Sequence, residues 1–172
     1  MMKEFTDMLA SFGQQSTTGL SAYFYDNAAQ IDHLIQLYNT FNQQTTDLQT
    51  NRILALKKSM RLLTQDQHWS DQEGLELRYN HPNIVLEASF ESTKSNPLGK
   101  FVIRITTPTI QAWNLYESRL INDYAGTEPQ IAGNKTILEV GTIWENDAEQ
   151  IQAALQQVYT YLLQLVSKRV VV

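Results

Sequence analysis

LELRYNHPNIVLEASFE, residues 75–91, is the stretch on which the fold turns. Leu75, Leu77 and Tyr79 alternate with Glu76, Arg78 and Asn80. Ile84, Leu86, Ala88 and Phe90 then alternate with Val85, Glu87, Ser89 and Glu91. Successive side chains of a strand point to opposite faces, so this period of two predicts two half-buried strands. His81-Pro82-Asn83 between them reads as a tight turn, because proline presets the turn dihedral. After the polar stretch 92–99, KFVIRITT continues the pattern. Phe101, Ile103 and Ile105 fall on one face and Val102, Arg104 and Thr106 on the other. The three segments predict an antiparallel meander with one apolar face.

Upstream the period becomes helical. Phe5, Met8, Leu9 and Phe12 recur at helical spacing before Gly13, a suitable C-terminal cap. LSAYFY at 20–25 reads equally as a strand or as the start of a helix. Asp26 or Asn27 can cap a helix with Ile31, Leu34, Ile35, Tyr38 and Phe41 on one stripe. NQQTT at 42–46 is expected to break it. A further helix carries Ile53, Leu56, Met60 and Leu63, and the two would form an antiparallel pair. TQDQHWSDQEG, 64–74, reads as a loop.

Downstream, Pro108 suits the first turn of a helix with Thr107 as its cap, and Gly126 ends it. TEPQIAGN reads as a loop. TILEVGTIW, 136–144, predicts a strand with Leu138, Val140, Thr142 and Trp144 inward. Asn146 and Glu149 make a capping-box signature for a last helix bearing Ile151, Ala154, Leu155, Val158, Leu162 and Leu165. The expected architecture is a single α+β domain over 1–172. It has N-terminal helices and a mostly antiparallel four-stranded sheet, five if 20–25 is a strand. A crossover helix and a long C-terminal helix pack on one face.

Composition narrows the functional classes. Eighteen acidic residues against thirteen basic ones give a net charge of −5, which disfavours binding to nucleic acid. With no cysteine, disulfides, thiolate metal sites and cysteine nucleophiles are excluded. Glu4 and Asp7 interrupt what a signal peptide would need as an apolar run, and no stretch reaches the length of a membrane span. A soluble, cytoplasmic protein that does not engage membranes is expected. There is no Gly-rich phosphate loop, G-x-S-x-G or H-E-x-x-H, so no cofactor and no metal are expected.

Four places carry candidate functional groups. In TTPTIQAWNLYESRLINDYAG, 106–126, helical phase puts Ile110, Trp113, Tyr116, Leu120 and Tyr124 on one stripe. Such a stripe is what a helix needs in order to cover a sheet, which is the favoured reading; the alternative is the wall of a ligand site. Asp66, His68, Asp71 and Glu73, with His81 across the hairpin, could hold a metal or transfer protons, although their spacing fits neither a calcium loop nor a zinc pattern. Arg78, Glu87, Arg104 and Glu139 share the polar side of their strands with Val85 and Val102. Opposite charges on neighbouring strands form a solvated ladder, or the charged margin of an interface. Arg52, Lys57, Lys58 and Arg61 make a basic helix face.

These features favour a non-enzymatic module, adaptor- or chaperone-like, that binds a protein or peptide partner. Binding residues are expected at Trp113, Tyr116, Tyr124, Arg78, Glu87 and Arg104. The order of elements resembles, in arrangement only, that of small acidic secretion or assembly chaperones, and fold does not fix function. The alternatives are a small-molecule binder, with a cavity lined by Trp113, Tyr116, Phe90 and Phe101, and a hydrolase-type enzyme using the 66–81 segment. Val85, Val102 and the apolar tail at 170–172 are compatible with a homodimer.

Overall fold

The computed structural model describes residues 26–91, 99–144 and 147–167. The expectations for 5–13, 20–25 and the apolar tail lie outside them. The chain divides into two compact units, Met1–Thr46 and Asp47–Val172. Among the described residues there are three helices and six strands, an α+β arrangement.

The first helix, α1, is Ala28–Thr64. It is one element where two helices with a break at 42–46 were expected. The segment contains neither proline nor glycine. Its threonines turn back on the helix: the Thr45 and Thr46 hydroxyls donate to the carbonyls of Phe41 and Asn42, at 2.9 and 3.0 Å. Polar residues that could compete with the backbone thus hydrogen-bond within the helix and leave it intact. Asn27 supplies the first acceptor, its carbonyl taking the Ile31 N–H at 3.0 Å. The helix ends where Gln65 adopts a left-handed φ of 55°.

In the unit Met1–Thr46, the α1 residues Ile35, Tyr38 and Phe41 are exposed. In the unit Asp47–Val172, α1 buries Ile53, Leu56 and Met60. The remaining elements are β1 (Trp69–Gln72), β2 (Glu76–His81), β3 (Ile84–Glu91), β4 (Lys100–Thr107), α2 (Ile110–Asp123), β5 (Gln130–Ala132), β6 (Lys135–Ile143) and α3 (Ala148–Ser167). They form one six-stranded sheet in the order β1-β2-β3-β4-β6-β5, with every neighbouring pair antiparallel.

Two strands exceed the expected four, and both sit in stretches that read as loops. β1 is only four residues long and is joined to β2 by a tight turn. Glu73 and Gly74 both have positive φ, 52° and 71°, and the Leu75 N–H donates to the Gln72 carbonyl at 2.9 Å. A turn of this primed kind matches the twist of its strands. Leu75 belongs to that turn and is exposed. A Cβ on Gly74 would meet Thr50 Cγ2 of α1 at 2.6 Å, so the helix and the turn touch there. β5 is three exposed residues folded back on β6 through Gly133, whose φ is 64°.

Helix α2 starts two residues later than expected, at Ile110. Thr107 remains in β4, paired with Thr136, because a residue before proline is held out of the helical region. Thr109 is the cap, and its hydroxyl accepts from the Ala112 N–H at 3.1 Å. The helix ends at Asp123, before Gly126. At α3, Asp147 caps: its carboxylate accepts from the Glu149 N–H at 2.9 Å and its carbonyl from the Ile151 N–H at 3.0 Å.

In β6 the expected alternation fails halfway. Ile103 pairs with Gly141 and Arg104 with Glu139, so Val140 is an extra residue, a β-bulge. Leu138 is buried as expected and Val140 packs against the core. Beyond the bulge the phase is reset. Ile143 pairs with Phe101 on the core side, Thr142 pairs with Val102 on the other, and Trp144 is exposed.

The core of the Asp47–Val172 unit lies on one face of the sheet. Trp69, Tyr79, Leu86, Ile105 and Leu138 stand in one register row across five strands. Trp113, Tyr116 and Leu120 of α2 pack on that face, as do Ile151, Leu155, Tyr159 and Leu162 of α3. Every sheet residue in this core belongs to the same face.

Candidate functional site

The other face of the sheet brings together the charged residues that alternation placed there. Register sets Ser70, Arg78, Glu87, Arg104 and Glu139 directly opposite one another across β1, β2, β3, β4 and β6. Signs alternate along this row. Arg78 Nη2 lies 3.2 Å from Glu87 Oε1, and Arg78 Nε bonds to Glu76. That hydrogen bond, donated to Glu76, holds the guanidinium more firmly charged than usual. Arg104 pairs with Glu91 and stands 3.6 Å from Glu139. Lys100 reaches Glu91 at 3.7 Å and Glu139 at 3.8 Å. Two hydroxyls complete the network: Thr106 donates to Glu87 at 2.8 Å and Thr142 to Glu139 at 2.5 Å.

Three cations and four carboxylates therefore share this face, each partly exposed, with side-chain exposures from 15% to 36%. Beneath them Val102 is fully buried and Thr106 is 3% exposed. The expectation that Val102 presents an exposed apolar contact is corrected: Lys100 and Arg104 flank it along β4, Ser89 and Thr142 stand opposite it, and no surface is left to offer. Val85 and Ile137 remain half-buried at one end of the face.

The aromatic candidates lie on the core side. Trp113 is 6% exposed and Tyr116 8%, both within the core cluster, as helical phase implies for a helix covering a sheet. Tyr124 packs against the margin of that core, its ring edge-on to Tyr161 at 5.4 Å. The Tyr161 hydroxyl donates to Asp123 at 2.8 Å. Burial, with Asp123 nearby, raises the pKa of both phenols. Phe101 is buried and meets Phe90 edge-on at 4.9 Å. Of the four residues expected to line a cavity, Trp113, Tyr116 and Phe101 are core side chains. Phe90 lines a groove of about 260 Å³ with Arg52, Leu56, Ser59, Ile151 and Gln152.

The acidic and histidine residues of 66–81 do not converge. Asp66 binds His68 twice, at the backbone N–H (2.9 Å) and at ring Nδ1 (2.7 Å), and accepts from the Tyr159 hydroxyl at 3.0 Å. Burial would raise its pKa, but these hydrogen bonds and one from Tyr79 outweigh burial and lower it. Asp71 instead pairs with Lys57 and caps the turn by accepting from the Gly74 N–H at 3.0 Å. The Lys57 hydrogen bond, more than any other cause, lowers its pKa. His81 lies at the far end of β2, opposite Ile84, with Nδ1 buried and unpartnered. Among the described residues no group of three or more His, Asp or Glu side chains is placed to hold a metal ion.

The basic stretch is likewise dispersed. Arg61 donates twice to the Trp69 carbonyl, at 2.9 and 2.6 Å, Lys57 holds Asp71, and Arg52 lies 5.7 Å from the Phe90 ring centre. What the sequence reading missed is Trp69. Fully buried, it packs against Tyr79 at 5.3 Å and Tyr159 at 5.4 Å, and its indole N–H donates to Thr64 at 3.1 Å. The available signal was the Glu-Gly pair closing a short segment just before an alternating strand.

No known family model matches the chain, and neither a curated protein nor a solved structure matches it. No described helix is long and apolar enough to cross a membrane.

Proposed function

We propose that the chain is a non-enzymatic protein- or peptide-binding module that acts through the open sheet face, with Arg78, Glu87 and Arg104 at its centre. The observation that supports this most is the one-sidedness of the sheet. In the Asp47–Val172 unit the helical residues of the core pack on the opposite face, and the charged side chains of this face keep 15–36% exposure. Long side chains there are already ordered by their neighbours, so a partner would lose less side-chain freedom on docking than on an ordinary surface. Alternating charges give specificity through complementary pairing more than raw affinity. A cytoplasmic adaptor or chaperone-like role is the corresponding biological setting.

The test is capture from a lysate of the native host, comparing the wild-type chain with Arg78→Glu/Arg104→Glu. A protein held by the wild type, released by salt and absent from the variant supports the reading. Identical capture by both chains, with the variant folded, contradicts it.

The groove beside Phe90 favours a second reading, a small-molecule binder. It combines apolar walls at Leu56, Phe90 and Ile151 with the Arg52 guanidinium, the mixture typical of ligand sites. A metabolite library screened by thermal shift against wild type and Arg52→Ala tests it. A hit lost in the variant supports this reading.

A further inference from the structure

We propose that the groove beside Phe90 takes a small monocarboxylate with a single-ring apolar body, its carboxylate held by Arg52. This names the ligand class for the small-molecule reading of that groove and rests on that reading.

Arg52 is the first argument. The partly buried lysines and arginines among the described residues are Arg52, Lys57, Arg61, Arg78, Lys100 and Arg104. All but Arg52 have an oxygen partner. Lys57 has Asp71, Arg61 has the Trp69 carbonyl, and Arg78, Lys100 and Arg104 have the carboxylates of the sheet face. Arg52 has none among the described residues, and its guanidinium meets only the Phe90 ring, 5.7 Å from the ring centre. The acidic residues nearest the groove along the chain are engaged elsewhere. Glu91, next to Phe90, pairs with Arg104 and Lys100, and Asp147, next to Ala148, caps α3 at the Glu149 N–H. A cation withdrawn from water favours a counter-charge. A guanidinium can rest on an aromatic face and still present its N–H fork to a carboxylate.

The groove sets the body of the ligand. Leu56, Phe90 and Ile151 give it apolar walls, and its volume is about 260 Å³. An apolar cavity of about 150 Å³ holds benzene, so a single ring with a short acidic arm suits the space. Gln152, on the same wall, accepts the Ser59 hydroxyl at 2.8 Å through its side-chain carbonyl. Its amide nitrogen is a second donor beside Arg52. Apolar walls with a few polar groups are what orient a small ligand.

Charge limits the head group. One unpaired guanidinium balances one negative charge. A phosphate monoester carries about −1.5 to −2 at neutral pH, an excess for this site. The chain itself has a net charge of −5, which penalises further negative charge. A singly charged carboxylate is the better match.

Titration of the full chain with benzoate, phenylacetate and hydrocinnamate, followed by amide chemical shifts, tests this. Phenethyl alcohol and phenyl phosphate are the neutral and more highly charged comparisons. A carboxylate of this set should bind, with shifts at Ser59, Phe90 and Gln152. Arg52→Gln should weaken it by about tenfold or more, as loss of a charge-assisted hydrogen bond does. Arg52→Lys, which keeps the charge without the fork, should fall between the two. No binding by any of the carboxylates overturns the proposal. So do shifts confined to other parts of the chain, carboxylate binding unchanged in Arg52→Gln, or tighter binding of the alcohol or of phenyl phosphate. The two readings fail separately. Phenethyl alcohol bound in the groove equally by wild type and Arg52→Gln, with the carboxylates no tighter, would keep a small-molecule site and contradict its assignment to carboxylates.

Discussion

Arg78 and Glu87 stand opposite each other on β2 and β3, Nη2 to Oε1 at 3.2 Å, on the face of the sheet away from the core. Arg78 also binds Glu76, and Glu87 also accepts from Thr106. Partly exposed pairs of this kind contribute modestly to folding, because water still screens them and ordering two long side chains has its own cost. A double-mutant cycle on Arg78→Ala and Glu87→Ala, followed by urea denaturation, should give a coupling of about 0.2–1 kcal/mol. A coupling several times larger would make the row a stabilising element rather than a recognition surface.

Trp113 tests the division between core and contact. It is 6% exposed and packs between α2 and the sheet. Trp113→Ala should destabilise by about 3–5 kcal/mol, as truncation of a buried aromatic does. Denaturant midpoints would show it. A loss below about 1 kcal/mol, within the range of ordinary surface changes, would return Trp113 to the binding surface.

Gly74 is constrained twice, by a φ of 71° and by Thr50 Cγ2 at 2.6 Å from the position of an added Cβ. Left-handed backbone alone costs an L-residue about 1–2 kcal/mol. Gly74→Ala should exceed that, while Gly133→Ala, with nothing within 4 Å of its added Cβ, should show the backbone cost alone. Comparing the two melting curves separates strain from contact. Equal losses would mean that the approach to α1 is easily relieved.

Acid should loosen the β1 end of the sheet first. Asp66 and Asp71 both have folded pKa values below their unfolded ones. Their contribution is complete above about pH 4, the ordinary carboxylate range, and is lost as pH falls through the lowered values. Tyr79, Tyr124, Tyr159 and Tyr161 are raised, chiefly by burial, so their contribution is complete below about pH 10 and is lost as pH rises beyond it. Tyr79, Tyr124, Tyr159 and Tyr161 should therefore ionise late in an absorbance titration. Asp66→Ala should bring Tyr79 and Tyr159 back toward ordinary values and leave Tyr161 late, since Asp123 remains beside it.

Residues with strong period were legible in the sequence. Ile84, Leu86 and Ala88 against Val85, Glu87 and Ser89 named both faces of β3, and the same alternation put Arg78, Glu87 and Arg104 on one surface. What escaped was short or irregular. Trp69–Gln72 has four residues, too few to show a period, and its strand status comes from pairing with β2. Val140 shifts β6 by one residue, which no alternation reveals from a single strand. NQQTT has the composition of a break, but inside a helix its threonine hydroxyls find carbonyls one turn back. Thr107 and Thr109 flank Pro108 and are chemically equivalent as caps. Pairing of Thr107 with Thr136 decides between them.

The most direct test of the central claim is site-specific photo-crosslinking in the native host. A photoreactive residue at Ser89, beside the charged row, is compared with one at Glu117, on the exposed side of α2. A discrete crosslinked partner is expected from position 89, abolished by Arg78→Glu/Arg104→Glu, and none from position 117. A partner crosslinked from position 117 alone, or from neither position, would contradict a binding surface on the open sheet face.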